Sequence, residues 1–146
     1  MAFTIARHAP VEPSVAWGAL TDLAAHGRFV PLTDVRVPAG GLSLGAEVVA
    51  LTRLGPLAFA DRMLVTAHEP ARRLRLVKTG RLLRGWAEIV VDTAPGGDAD
   101  VRWTEELWLP GLRRLTRPVG DRLGPRLFGP VVDGLLAAAH RPGSGG

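Results

Sequence analysis

The stretch LLRGWAEIVVDTAPGGDADVRWTEELWL, which spans residues Leu82–Leu109, decides the fold of this chain. It contains two runs of alternating apolar and polar residues, joined by a segment rich in proline, glycine and aspartate. Alternation with a period of two between turn residues is typical of a β-hairpin with one buried face. We predict a register in which Thr93 pairs with Val101. The inner face of the hairpin is then apolar except for one carboxylate, that of Glu105.

The outer face of this hairpin carries two tryptophans, Trp86 and Trp108, which the predicted register places opposite each other. Glu88 and Glu106 then also lie opposite each other, which is unfavourable unless Arg84 or Arg102 places a cation between the two carboxylates. A pair of outward tryptophans indicates either a patch covered by other side chains or a surface for a partner, such as a second copy in a homodimer.

The rest of the chain supplies further strands and two short helices. The segments with a strand pattern are Phe3–His8, a short edge strand around Val35 and Val37, Ala46–Leu54, Leu57–His68 and Arg72–Thr79. After the first strand, Glu12-Pro13-Ser14 begins a helix that ends at Gly27, and Thr21-Asp22 starts a second short helical turn. This order predicts an α+β fold with an antiparallel sheet of about six to seven strands.

The C-terminal segment from Leu115 to His140 has the pattern of one long helix. Apolar residues recur at every fourth position and form a stripe that we expect to pack on the sheet. The stripe consists of Leu115, Val119, Leu123, Leu127, Val131 and Leu135. Pro118, Pro125 and Pro130 lie inside the segment and are expected to kink or interrupt the helix. We predict one domain over residues 1–140 and a disordered tail over residues 141–146.

The composition excludes several classes of protein. With 146 residues, 47% of them hydrophobic and 22% charged, the chain is predicted to fold as one soluble domain. It has no cysteine, which excludes disulfides and thiolate chemistry. No segment reaches the ~20 apolar residues of a membrane span, and the N-terminal segment lacks the apolar run of a signal peptide. We therefore predict a cytoplasmic protein.

The charged residues give no sign of a metal, a cofactor or nucleic acid. The four histidines are scattered without the spacing of metal ligands, and the glycines match no nucleotide-binding fingerprint. The basic cluster from Arg72 to Arg84 has no aromatic residue interleaved, as binding of single-stranded nucleic acid requires, and alternation splits it between both faces of its strand. We therefore predict no metal, no cofactor and no nucleic-acid partner.

Several motifs resemble those of the SRPBCC superfamily, the START-like proteins with polyketide cyclase/dehydrase-like members. They are Phe3-Thr4-Ile5, Val15-Ala16-Trp17, Leu20-Thr21-Asp22 and, after the hairpin turn, Val101-Arg102-Trp103. Gly85-Trp86-Ala87-Glu88 and Trp103-Thr104-Glu105-Glu106 are similar to a group of actinobacterial members. The resemblance covers nearly the whole chain and implies a helix-grip fold, in which the sheet wraps around the long C-terminal helix. It also implies a pocket for an apolar or amphipathic small molecule, but it does not imply one reaction.

Continuing the strand pairing inward gives a candidate ligand cavity on the inner face of the sheet. A two-residue turn at Gly80-Arg81 pairs Arg72 with Ile89, and a four-residue turn before it places Asp61 opposite Lys78. With two leucines from the long helix, the residues predicted to bind the ligand are Phe59, Asp61, Met63, Leu74, Leu76, Lys78, Ala87, Ile89, Trp103, Glu105, Leu107, Leu123 and Leu127.

Four charged side chains share this predicted inner face. Asp61 is a cross-strand neighbour of Lys78, and Arg72 lies within reach of Glu105. Charges that converge in an apolar pocket can orient the polar end of a ligand, and a buried carboxyl can act as a general acid or base. The alternative is that the two pairs only neutralise each other near the rim of the sheet. Glu105 and Arg72 are the candidate catalytic residues.

Three functions are compatible with this pattern. The first is a carrier or sensor that binds a small hydrophobic molecule, lipid-like or polyketide-like, between the sheet and the C-terminal helix. The second is a polyketide cyclase or dehydratase in which Glu105 is the acid or base and Arg72 positions the substrate. The third is a non-catalytic interaction module with a collapsed pocket, whose contacts are made by the face of Trp86 and Trp108.

Overall fold

The computed structural model of the chain describes residues 2–30 and 32–140, so the predicted tail lies outside the described residues. The strands are β1 (Phe3–Ala9), β2 (Thr33–Arg36), β3 (Glu47–Leu54), β4 (Leu57–Glu69), β5 (Arg73–Lys78), β6 (Arg84–Thr93) and β7 (Ala99–Trp108). The helices are α1 (Pro13–Thr21), α2 (Leu23–His26) and α3 (Arg113–His140). The strands form one antiparallel sheet in the order β1-β7-β6-β5-β4-β3-β2, and α3 packs against β1 and β7. The predicted helix-grip architecture is confirmed.

The hydrophobic core lies between the inner face of the sheet and the helices. Every second residue of β6 and β7 points into it, so that Ile89 and Trp103 are buried, and the helices contribute Leu20 and Val132. Burial of each such side chain stabilises the fold by about 1.5–3 kcal/mol. Within the described residues, no helix has the length and hydropathy needed to cross a membrane.

The hairpin of β6 and β7 has the predicted faces but a different register. Thr93 pairs with Ala99 and not with Val101, so the predicted pairing is wrong by two residues. Gly96 and Gly97 both have positive φ angles, which allow the chain to turn within a shorter loop. A shift by two keeps each side chain on its face, and the inward carboxylate stays inward.

The connection from β5 to β6 is longer than the predicted two-residue turn. Lys78 is the last residue of β5, and the amide of Thr79 donates to a carbonyl of β4 at 2.8 Å. The chain therefore forms a loop before β6 begins. As a result, Leu74 pairs with Ile89 in the place predicted for Arg72.

A β-bulge at Thr66 sets which residues of β4 face inward. The pairing of β4 with β5 shifts by one residue between Val65 and Ala67, so Thr66 has no paired residue in β5. An extra residue in one strand changes which positions point inward, so that even-numbered residues face inward before it and odd-numbered residues after it, or the reverse. The bulge thereby turns Asp61 towards the inner face.

Helix α3 runs through its three prolines, Pro118, Pro125 and Pro130, so the expected interruption does not occur. All three prolines are exposed. Each removes a backbone N–H and leaves the carbonyl four residues earlier without its helical partner. A carbonyl on the outside of the helix can bond to water instead, which explains why α3 tolerates prolines on this face.

The first half of α3 packs on the sheet by a different face from the predicted stripe. Val131 is buried as predicted, but Leu115 and Leu127 are 72% and 65% exposed. Gly124 makes the contact with the sheet in their place, and a Cβ at this position would overlap the ring of Phe3. The helix approaches β1 too closely for a larger side chain, and the leucines are turned outward.

Candidate functional site

A cavity of about 570 Å³ lies between the inner face of the sheet, α2 and α3. This volume is typical of small-molecule sites. Its wall is mostly apolar. The lining residues are Leu23, His26, Val30, Thr33, Val35, Ala50, Thr52, Phe59, Ala60, Asp61, Met63, Leu76, Lys78, Leu82, Leu83, Ala87, Trp103, Glu105, Leu109 and Phe128.

The structure brings most of the predicted ligand-binding residues to this cavity. They come from the neighbouring strands β4, β5, β6 and β7, because directly paired residues of antiparallel strands share a face of the sheet. The predicted residues that line the wall are Phe59, Asp61, Met63, Leu76, Lys78, Ala87, Trp103 and Glu105.

Five other predicted ligand-binding residues do not line the cavity. Leu74 and Ile89 are paired with each other and buried in the core. Because the observed register differs by two residues from the predicted one, this pair lies in the packed core beside the cavity and not in the cavity wall. Leu107 of β7 and Leu123 and Leu127 of α3 line a separate groove beside the helix. The two helix leucines are turned away from the cavity because Gly124 makes the close contact with the sheet.

The predicted position of Arg72 on the inner face is wrong. Arg72 precedes the first residue of β5 and is exposed at the turn that follows β4. It is not among the lining residues of the cavity, so the predicted pair with Glu105 does not form. The cause is the two-residue shift in register, which gives Leu74 the place opposite Ile89.

Asp61, Lys78 and Glu105 form a polar cluster in the cavity wall. Lys78 Nζ donates to Asp61 Oδ2 at 2.6 Å and lies 3.8 Å from Glu105 Oε1. Trp103 Nε1 donates to Glu105 Oε2 at 3.0 Å. The side chains of Lys78 and Glu105 are only 7% and 2% exposed. The predicted ion pair of Asp61 with Lys78 is therefore present, but the predicted register is wrong by two residues, because Lys78 lies directly opposite Met63 and reaches Asp61 diagonally. Lys78 is also the cation that faces Glu105.

Burial raises the pKa of Glu105 above its ordinary value, and the negative charge of Asp61 acts in the same direction. The charge of Lys78 and the hydrogen bond from Trp103 favour the carboxylate but do not cancel the effect of burial. A carboxyl group with a raised pKa gains and loses its proton closer to neutral pH. This is the property required of a general acid or base.

Glu105→Gln is expected to change how stability depends on pH. Because the folded protein holds the Glu105 proton more tightly than the unfolded chain, the free energy of unfolding falls as the pH rises from about 4.3 to the raised folded pKa. Glutamine removes this dependence and keeps an oxygen for the Trp103 N–H. Urea unfolding at a series of pH values should show the variant gaining stability relative to wild type through that interval.

The neighbouring carboxylate provides the control. Glu106 is also buried, but its Oε1 lies 2.7 Å from Arg117 Nε and its Oε2 accepts from Trp86 Nε1 at 3.2 Å. Glu106→Gln removes this ion pair and is expected to lower stability at about pH 8, where Glu105→Gln raises it. Identical pH profiles for wild type and Glu105→Gln would contradict the raised pKa.

His26 lines the cavity from the end of α2 and is not among the residues predicted from the sequence. Its ring lies 5.5 Å from that of Trp103, and its Nε2 is 2.9 Å from the carbonyl oxygen of Leu20. Because a carbonyl only accepts, Nε2 carries the hydrogen and Nδ1 is left as an acceptor. Burial lowers the pKa of His26, so that the ring is neutral near neutral pH.

The two tryptophans of the outer face are each covered by an arginine. The guanidinium of Arg75 lies 4.6 Å from the centre of the Trp86 ring, and that of Arg113 lies 4.4 Å from the Trp108 ring. Trp86 pairs with Glu106 and Glu88 pairs with Thr104, so both predicted facing pairs, Trp86–Trp108 and Glu88–Glu106, are wrong. Of the two interpretations of this surface, the covered patch accounts for both contacts. A homodimer through this face stays a prediction.

Comparison with known proteins gives matches in structure alone. No family model matches the sequence, and no curated protein matches it. The ZhuI aromatase/cyclase of a Streptomyces species has a TM-score of 0.71 and 14% identity, with 100% of this chain and 98% of that one covered. Ara h 8.0201 has a TM-score of 0.72 and 12% identity, with 95% and 97% covered.

A third similar structure is the di-domain ARO/CYC StfQ from the steffimycin biosynthetic pathway. Its TM-score is 0.72 at 10% identity, and the match covers 94% of this chain and 50% of that one. At these identities the likeness establishes the fold. This chain is a helix-grip protein, with the architecture that its resemblance to the SRPBCC superfamily implied.

Proposed function

We propose that this protein binds a small hydrophobic or amphipathic molecule, lipid-like or polyketide-like, in the cavity between the sheet and α3. The observation that carries the proposal is the cavity itself, about 570 Å³ with a mostly apolar wall. Packed protein interiors leave few voids larger than a water molecule. A space of this size with a few convergent polar groups is typical of a ligand site.

The similar structures support this proposal. One of them is an aromatase/cyclase, and another is a di-domain ARO/CYC of the steffimycin biosynthetic pathway. This favours a small molecule over a macromolecule as the occupant of the cavity. The fold alone does not select the ligand; the residues in the wall of the cavity do.

Native mass spectrometry of the purified protein, followed by organic extraction, tests the proposal without a choice of ligand. We expect a co-purifying lipid-like or polyketide-like species that organic solvent removes. If the mass is that of the chain alone and hydrophobic metabolites do not shift the unfolding temperature of the protein, the result would favour a protein-interaction module over ligand binding.

Filling the cavity is expected to abolish binding. Ala50 lines the cavity, whereas its neighbour Leu51 is not among the lining residues. Titration with the neutral fluorophore Prodan should give blue-shifted emission with wild type and affinity at least about tenfold weaker with Ala50→Phe. Leu51→Phe adds a ring on the same strand outside the cavity and should bind as wild type does. If both variants bound Prodan equally well, the Prodan site would lie outside the cavity.

Acid–base catalysis on the bound molecule is a second candidate function. The observation that favours it is Glu105, a buried carboxyl with a raised pKa in the cavity wall. Such a group can remove a proton from carbon beside a carbonyl or deliver one to a departing hydroxyl, as cyclisation and dehydration require. Arg72 is outside the cavity and takes no part, so Lys78 is the cation beside Glu105 in the cavity wall.

Glu105→Gln separates the two functions. If the protein is an enzyme, the variant should lose turnover of a polyketide-like substrate while Prodan binding changes by less than about twofold. Unchanged turnover would exclude Glu105 as the acid or base. Arg72→Ala serves as the control, because an exposed arginine outside the cavity should affect neither measurement.

A further inference from the structure

The charge of the cavity wall is determined by four titratable side chains. Lys78 is the one lysine among the described lining residues, which include no arginine. Asp61 and Glu105 are carboxyl groups, and His26 is neutral near neutral pH. The cluster therefore carries one negative charge when Glu105 is ionised and no net charge when it is protonated. In neither state is it positive.

Lys78 is already committed to the carboxyl groups of the protein. Its Nζ lies 2.6 Å from Asp61 Oδ2 and 3.8 Å from Glu105 Oε1, and its side chain is 7% exposed. A carboxylate ligand would have to displace one of these groups and remain buried beside the other. Like charges a few ångströms apart repel strongly where water is excluded. The wall therefore disfavours an anion.

Asp61 offers a group that a neutral ligand can use. Its Oδ2 accepts from Lys78, but its Oδ1 is buried and accepts no hydrogen bond from any described residue. A buried acceptor without a donor is unfavourable, so a ligand that supplies the donor gains affinity. A hydroxyl is the neutral group that donates one hydrogen bond and can accept another.

We propose that the cavity selects a neutral amphipathic ligand whose polar end is a hydroxyl, alcoholic or phenolic, and excludes the corresponding carboxylate. The Asp61 carboxyl group, whose side chain is 21% exposed, rotates so that Oδ1 reaches the cavity and accepts from the hydroxyl. The apolar remainder of the ligand lies along the aromatic and aliphatic wall, which includes Phe59 and Trp103. This inference deepens the proposed binding function and rests on it.

Three matched ligands test the selectivity of the wild-type protein. Decanol, decanoate and methyl nonyl ether have chains of nearly the same length, and at about pH 8 decanoate is ionised. Competition with Prodan should show decanol binding at least about tenfold more tightly than decanoate. The ether, which accepts but cannot donate, should bind several-fold more weakly than decanol because Asp61 Oδ1 stays unsatisfied.

Removing the two carboxylates is expected to reverse the preference. In Asp61→Asn/Glu105→Gln the ammonium of Lys78 has no counter-charge, so decanoate should bind more tightly than decanol. Asp98→Asn/Asp100→Asn makes the same change in net charge at exposed positions and should keep the wild-type order. Asp61→Asn alone should disturb the fold less, because the Asp61 side chain is partly exposed. It should bring the affinities for decanol and decanoate closer together than they are in wild type.

The outcomes separate the two proposals. Equal affinity of wild type for decanol and decanoate, or an unchanged order in both cavity variants, would overturn the selectivity and leave the cavity as a binding site. Failure of Prodan and of all three ligands to bind would overturn the binding function and the selectivity together.

Discussion

Gly85→Ala is expected to destabilise the protein by roughly 3–5 kcal/mol. Gly85 has a φ of 142°, a region that favours glycine, and a Cβ there would overlap the carbonyl oxygen of Glu106. The overlapping atom belongs to the backbone of the paired strand, so it cannot rotate away. Relief requires β6 and β7 to separate next to Lys78, which pairs with Gly85.

Urea unfolding followed by circular dichroism measures this loss, which corresponds to a fall in Tm of about 10 °C. Gly18→Ala is the control, because Gly18 lies in α1 with no atom within 4 Å of a new Cβ. That variant should gain about 0.5–1 kcal/mol from helix propensity. A Gly85→Ala protein as stable as wild type would contradict the close approach of the two strands.

The second large effect is expected from Lys78→Met, with a loss of roughly 2–4 kcal/mol at about pH 8. Methionine is unbranched and only one atom shorter than lysine, but it leaves Asp61 and Glu105 without a cation. Breaking a buried pair by removing one partner is costly because the remaining charge stays desolvated. Burial raises the pKa of Glu105, so protonation of Glu105 removes part of that charge and the deficit should shrink as the pH is lowered to about 5.

A triple variant separates charge from packing. Lys78→Met/Asp61→Asn/Glu105→Gln has no buried charge in the cluster and should recover most of the stability that Lys78→Met loses. The free energy of unfolding, measured at both pH values, gives the comparison. A deficit in Lys78→Met that is equal at both pH values and persists in the triple variant would assign the loss to packing instead.

The order of elements and the two faces of each long strand could be predicted from the sequence. Side-chain alternation survives any shift of register by an even number of residues, so Asp61, Lys78 and Glu105 were expected on one face and do share one cavity. The helix-grip layout followed from the order of the elements and from the family resemblance. Both expectations rest on information that lies close together in the chain.

The register and the partner of each side chain could not be predicted in the same way. They depend on turn lengths, which here follow from positive φ angles at Gly96 and Gly97 and from the loop that begins at Thr79. The error of two residues is small along the strand, but it removed Arg72 from the site. Arginine in that place would have given the cavity a second cation.

Contacts between distant elements were also beyond the reach of periodicity. His26 lines the cavity because α2 packs beside β2 and the inner face, and no spacing along the chain reports this. In α3, the apolar periodicity predicts a leucine stripe against the sheet. The helix lies so close to the sheet that only a residue without a side chain fits at the contact, and Gly124 occupies it. A small residue carries no hydropathy signal even where it makes the closest contact.

The bulge in β4 has an evolutionary consequence. At Thr66, β4 contains one residue that has no paired residue in β5. If the codon for Thr66 were lost, the ladder would become regular, Val65 would still pair with Leu76, and Asp61 would still reach Lys78. We therefore expect homologues to differ in length at this point while they keep the two charges.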